Sequence, residues 1–154
     1  MKITDRRDEA KETLSKIQAG TGDARFLIGL TLWCLGDDSQ QEQYEKYIRF
    51  EPLHSSRSNK ARRALCNVPF ATVYPLIQDI RNGNPDNYFP MWAAAVLSHH
   101  KHRKSTELML SLWDDEITSR RNREYSELFN RMAERNFGMD RAKIRQWIRS
   151  LPEE

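Results

Sequence analysis

Apolar residues recur every three or four positions along most of this chain, and Gly, Pro and Ser-rich breaks interrupt the recurrence. That spacing predicts successive amphipathic helices, not strands. Ala10, Leu14 and Ile17 form one stripe of a helix over 5–19, with Thr4 or Asp5 as its cap and Gly20 as its stop. Over 23–35 the run Phe26, Leu27, Ile28, Leu30, Leu32, Trp33 and Leu35 leaves little polar face, which predicts a core helix ended by Gly36. Gly29 stands inside it, where it permits close approach of a neighbour at a cost of about 1 kcal/mol relative to Ala. Ser39-Gln-Gln-Glu42 reads as a capping box. The helix after it carries Tyr44, Tyr47, Ile48 and Phe50 inward and ends near residue 51, because Pro52 pushes its predecessor out of helical geometry.

After the polar loop that starts at Leu53, a short helix is expected over 58–66. The next is expected over 72–82, with Pro75 in its first turn, where a missing amide is harmless. Residues 88–101 are apolar on most of a helical circumference, which predicts a helix buried on all sides. Three more follow: 106–117 with Ser105 as cap, 118–136 stopped by Gly138, and a last one capped by Asp140 and closed by Pro152. The fold class is therefore all-α, an irregular helical bundle or short α-solenoid of eight to nine helices, in a single domain over 1–154. Its expected core includes Leu30, Trp33, Leu76, Ile80, Trp92, Ala95, Leu112, Leu128 and Ile148.

A chain of 154 residues can bury a core without staples. No run of 18 apolar residues occurs, so no transmembrane helix is expected, and the amphipathic start is unlike a secretory signal. Cys34 and Cys66 lie in apolar helical contexts and read as reduced core residues of a cytoplasmic protein, with a disulfide between them as the lesser alternative.

Charge changes the picture more than composition does. The net charge is only +3, yet residues 49–104 hold nine Lys or Arg against three Asp or Glu, while both flanks are slightly acidic. His54, His99, His100 and His102 fall in the same segment. Two clusters carry its charge: Arg57, Lys60, Arg62 and Arg63 at the start of the short helix, and Lys101, Arg103 and Lys104 after the apolar one. Basic side chains beside helix ends suit phosphates, and an exposed loop with ordinary charges is the alternative. His99 and His102 are spaced to share a helix face, but no Asp, Glu or Cys stands near them in sequence and the flanking cations repel a metal, so no metal is expected.

Two stretches resemble known families. Val73-Tyr-Pro-Leu-Ile-Gln-Asp-Ile-Arg-Asn-Gly-Asn-Pro-Asp86 followed by Met91-Trp-Ala-Ala-Ala-Val-Leu97 is similar to one helix pair of a HEAT-like repeat, within about residues 69–101; no second copy recurs at a fixed period. That resemblance implies a protein-binding scaffold, in some members one that grips nucleic acid. Gly138-Met-Asp-Arg-Ala-Lys-Ile-Arg-Gln-Trp-Ile148 resembles the turn and recognition helix of a DNA-binding helix-turn-helix over about 128–148, which implies Arg141, Lys143, Arg145 and Gln146 as groove-facing residues.

No Gly-rich phosphate loop, His-Glu-x-x-His or Gly-x-Ser-x-Gly occurs. The expectation is a non-enzymatic helical subunit, without cofactor, that binds a nucleic-acid backbone within a larger nucleoprotein assembly through Arg57, Lys60, Arg62, Arg63, Lys101, Arg103 and Lys104. A HEAT-like protein-binding adaptor or inhibitor is the second reading and a C-terminal helix-turn-helix DNA-binding protein the third. No membrane partner and no small-molecule substrate are expected.

Overall fold

Helical periodicity between frequent breakers should give many short helices, and it does. The computed structural model describes residues 3–17, 22–50, 55–83, 85–115 and 121–153, and among them the chain is all-α, with nine helices and no strand. In order they are α1 (Ile3–Ser15), α2 (Gly22–Cys34), α3 (Gln41–Phe50), α4 (Ser56–Ala64), α5 (Phe70–Asn82), α6 (Phe89–Leu97), α7 (Arg103–Asp115), α8 (Asn122–Ala133) and α9 (Arg141–Arg149). Where length predicts one domain, the contacts gather into two compact units, Met1–Leu76 and Ile77–Glu154. Gly20, Pro52, His54 and Arg120 lie outside the described residues.

In the first unit α4 packs against α3 and α2. Phe26, Leu30 and Trp33 of α2, Tyr44 and Ile48 of α3, and Ala61, Ala64 and Leu65 are buried there, with the Phe26 and Trp33 rings against Tyr44. Trp33 stacks on Tyr44 at 5.3 Å between ring centroids. The Tyr44 hydroxyl donates toward the Phe26 carbonyl at 3.4 Å and lies 3.1 Å from Gln40 Oε1. Gly29 lets this happen: a Cβ there would meet the Tyr44 hydroxyl at 2.1 Å and Gln40 Oε1 at 2.7 Å. The close approach expected of Gly29 is therefore real, and its partner is Tyr44. By contrast α1 places none of residues 6–15 in the core.

The second unit is built around α7. Trp113 stacks with both Tyr125 and Phe129 of α8, at 5.6 Å and 5.9 Å between ring centroids. Its indole N–H donates to Asn122 Oδ1 at 2.7 Å. Leu108, Met109 and Leu112 extend the same face, α6 adds Phe89, Ala93, Ala94, Val96 and Leu97, and α9 adds Ile144 and Ile148.

Several boundaries and burials depart from expectation. α1 begins at Ile3, so Thr4 and Asp5 lie inside it, and it ends at Ser15 instead of near 19. Ser39 does not cap α3; it sits in the preceding turn, where its amide donates to Asp37 Oδ1 at 2.9 Å and holds that carboxyl below its usual range. α5 starts two residues early, at Phe70, which moves Pro75 into the second turn. α7 starts three residues early. Ser105 lies within it, and its hydroxyl accepts from the His102 amide at 3.3 Å and donates to the His102 carbonyl at 2.7 Å. α8 closes at Glu134 in a left-handed conformation, φ 53°, four residues before Gly138. α6 ends at Leu97 and is not buried all round: Ala95 is exposed and Trp92 half-buried, as is Ile80 of α5. Ala95 is left in water cheaply, because a methyl group gains little by burial. The other six expected core residues are buried.

Gly29→Ala should lower stability by about 1–3 kcal/mol through overpacking against Tyr44, despite the helix-propensity gain of about 1 kcal/mol. Urea melts of Gly29→Ala alone and combined with Tyr44→Phe check this: removing the hydroxyl should recover part of the loss, and equal loss in both backgrounds would reject the contact as cause. Burial also pushes the Tyr44 hydroxyl up to about 12. The unfolded chain loses that proton first, near pH 10, so Tyr44 should erode stability as pH rises from about 10 to 12, by up to about 1.4 kcal/mol per pH unit. Tyr44→Phe should remove that part of the alkaline slope in pH-dependent melts.

Candidate nucleic-acid interface

The basic segment divides when each cation is followed to its partner. Arg49 pairs with Glu45 on α3 at 3.5 Å. Arg81 donates to Ser111 at 2.8 Å and also pairs with Asp115. Arg57 reaches Asp23 Oδ1 at 3.1 Å and the Tyr47 hydroxyl at 3.3 Å, with its guanidinium 5.5 Å from the centre of the Phe26 ring. Arg103 is held by Glu107 at 2.9 Å and Glu153 at 2.5 Å. Arg62 is buried, at 6% exposure, and donates through Nη2 to the Ile48 carbonyl at 2.9 Å.

Lys60, Arg63, Lys101 and Lys104 differ. All four are exposed, and none of their side chains has an ion pair or hydrogen-bond partner among the described residues. Lys60 and Arg63 stand one turn apart on the outward face of α4, opposite buried Ser58, Ala61 and Leu65. Ser55 caps that helix, accepting the Ser58 amide at 3.4 Å. In the second unit, Lys101 precedes α7 and Lys104 sits in its first turn. The seven expected contact residues therefore fall in separate units, four in the first and three in the second. Arg62, expected among the phosphate contacts, turns inward and binds a backbone carbonyl. Its burial was readable from spacing: Ser58, Ala61, Arg62 and Leu65 follow i, i+3, i+4, i+7, and only the charge disguised the face. The Arg103–Glu107 pair likewise has the i, i+4 spacing of a helical ion pair.

His100 is buried and His99 exposed. No group of three His, Cys, Asp or Glu that could hold a metal occurs among the described residues. The cysteines are free and half-buried rather than deep in the core.

The four α9 candidates also divide. Asp140 caps the helix, accepting from the amides of Ala142 and Lys143 at 3.0 Å and 3.1 Å, and the Lys143 amide bond holds its carboxyl low. Arg141 and Arg145 both reach back to Asp114 of α7, at 2.7 Å and 2.9 Å. The Arg141 guanidinium also lies 4.5 Å from the centre of the Trp113 ring. Lys143 and Gln146 are exposed, with Lys143 3.5 Å from Asp140. Seven residues, 134–140, join α8 to α9, where a helix-turn-helix uses three or four.

Beside Arg57 an open cleft of about 450 Å³ runs along α2, with Leu14, Ile17, Arg25, Phe26 and Gln43 in its walls. Ile17 and Leu27 are large apolar side chains left in water. No helix among the described residues is long and apolar enough to cross a membrane. No protein-family model matches the chain, and neither the curated proteins nor the solved structures contain a match.

Arg62→Ala should cost roughly 1–3 kcal/mol, since it leaves the Ile48 carbonyl without that buried donor. Lys60→Ala and Arg63→Ala should stay within about 0.5 kcal/mol of the parent, as exposed substitutions do. Thermal melts of the three variants check the contrast, and equal melting temperatures would place Arg62 outside the core.

Proposed function

We propose that this chain is a non-enzymatic helical subunit that binds nucleic-acid backbone, within a larger nucleoprotein assembly, through exposed cations that each unit carries separately: Lys60 and Arg63 in the first, Lys101 and Lys104 in the second. The observation that carries the reading is the division of the basic segment: five of its nine cations are engaged inside the protein, and these four are exposed without a partner among the described residues. Arg57 and Arg103 act beside them as held, partly available guanidiniums, and Arg62 acts only through the fold. Exposed cations of this kind neutralise phosphates one at a time and release counterions, so they favour binding without base preference.

An adaptor or inhibitor that binds protein is the second reading. The cleft along α2, with Ile17 and Leu27 exposed, supports it. A helix-turn-helix use of α9 would rest on Lys143 and Gln146, because Arg141 and Arg145 are occupied by Asp114.

Salt titrations with single- and double-stranded DNA and RNA distinguish these readings. Affinity should fall steeply with salt and vary little with base sequence. Lys60→Ala combined with Arg63→Ala should flatten the logarithmic salt slope by up to about two units, at an unchanged melting temperature. Absence of binding to any nucleic acid at about 50 mM salt, where the backbone term is strong, rejects the proposal in favour of the adaptor.

A further inference from the structure

The two cysteines are far apart in sequence, but the Cys34 thiol reaches the carbonyl of Ala64, two residues before Cys66. Cys34 is the last residue of α2, and its thiol donates to the Ala64 carbonyl at 3.5 Å. That carbonyl, at the end of α4, also accepts the amides of Asn67 at 2.8 Å and Val68 at 3.1 Å. Residues 64–68 therefore curl around the acceptor that Cys34 approaches, and Cys66 lies midway along the curl. Both thiols are free and half-buried, within one compact unit.

We propose that Cys34 and Cys66 are a modification site: a thiol pair that a low-molecular-weight disulfide closes into an intramolecular bond, tying the end of α2 to the turn after α4. The reaction balances as two exchanges. One cysteine thiolate attacks a sulfur of the oxidant, forming a mixed disulfide and releasing one small thiol. The second cysteine thiolate attacks the protein sulfur of that mixed disulfide, forming the Cys34–Cys66 bond and releasing the second small thiol. The protein loses two electrons and two protons, and the oxidant gains them as its S–S bond breaks.

The surroundings set the rate. Burial pushes both thiols above their ordinary range, and the neighbouring Cys66 charge pushes Cys34 further up. Only the thiolate attacks, so closure is slow at neutral pH and accelerates as pH rises. Once closed, the bond restricts the unfolded chain over the span between residues 34 and 66, which raises stability unless the native geometry is strained.

The test uses the native full chain with excess oxidised glutathione at about pH 9, close to the thiol range. The expected product is a monomer lighter by two hydrogens, with no free thiol, a proteolytic peptide joining residues 34 and 66, and a raised melting temperature that a dithiol reductant reverses. Cys34→Ser and Cys66→Ser should each stop at one bound glutathione. Three results overturn the proposal: a parent protein carrying two glutathiones, a disulfide-linked dimer, or thiols that stay free while a urea-unfolded sample reacts fully.

Discussion

Short helices have many ends, and every end leaves backbone groups that need partners. An α-helix has four amides and four carbonyls without an intrahelical bond, and α4, α6 and α9 are nine residues each. Much of the polar sequence therefore serves the backbone. Asp140 binds the amides that start α9. Asn130 Oδ1 accepts the Phe137 amide at 2.8 Å, and Ser126 donates to the Gly138 carbonyl. The Arg62 guanidinium supplies a donor to Ile48, within the last turn of α3. Without such partners the buried ends would each cost about as much as a lost hydrogen bond.

This demand explains why formal charge overstates what the surface offers. A count over 49–104 treats nine cations alike. The structure gives Arg62 to a carbonyl, Arg49 and Arg103 to glutamates, Arg81 to Asp115 and Arg57 to Asp23. The planar fork of arginine suits this work, since it can make several directed bonds at once. Three of the four cations left over are lysines. The proposed interface is thus drawn from residues the fold has no use for.

The helices and most of the core were legible from periodicity, because a buried stripe repeats wherever a helix packs on one side. Tyr44 and Ile48 in α3, or Ile144 and Ile148 in α9, announce their face by spacing alone. Ala95 did not, because alanine is neutral about burial and its exposure depends on which neighbours are present. Ser105 and Ser39 misled about caps, since a serine near a helix start can serve an amide from outside the helix or within it. Arg62 hid behind its charge. The Cys34 thiol at Ala64 was out of reach, because thirty residues separate them and nothing local to either records the other.

Arg62 and Arg63 are neighbours in the chain, yet they answer to different constraints. The first is fixed by a carbonyl in the interior, and lysine, with a compact ammonium in place of a fork, would fit it poorly. The second has a side chain without an ion pair or hydrogen-bond partner among the described residues, so exchange for lysine would leave the fold indifferent. Over evolutionary drift the two positions should part company, one held by folding and the other tracking whatever anion the molecule meets. Adjacent codons would then keep separate records of what the interior requires and what the surroundings have demanded.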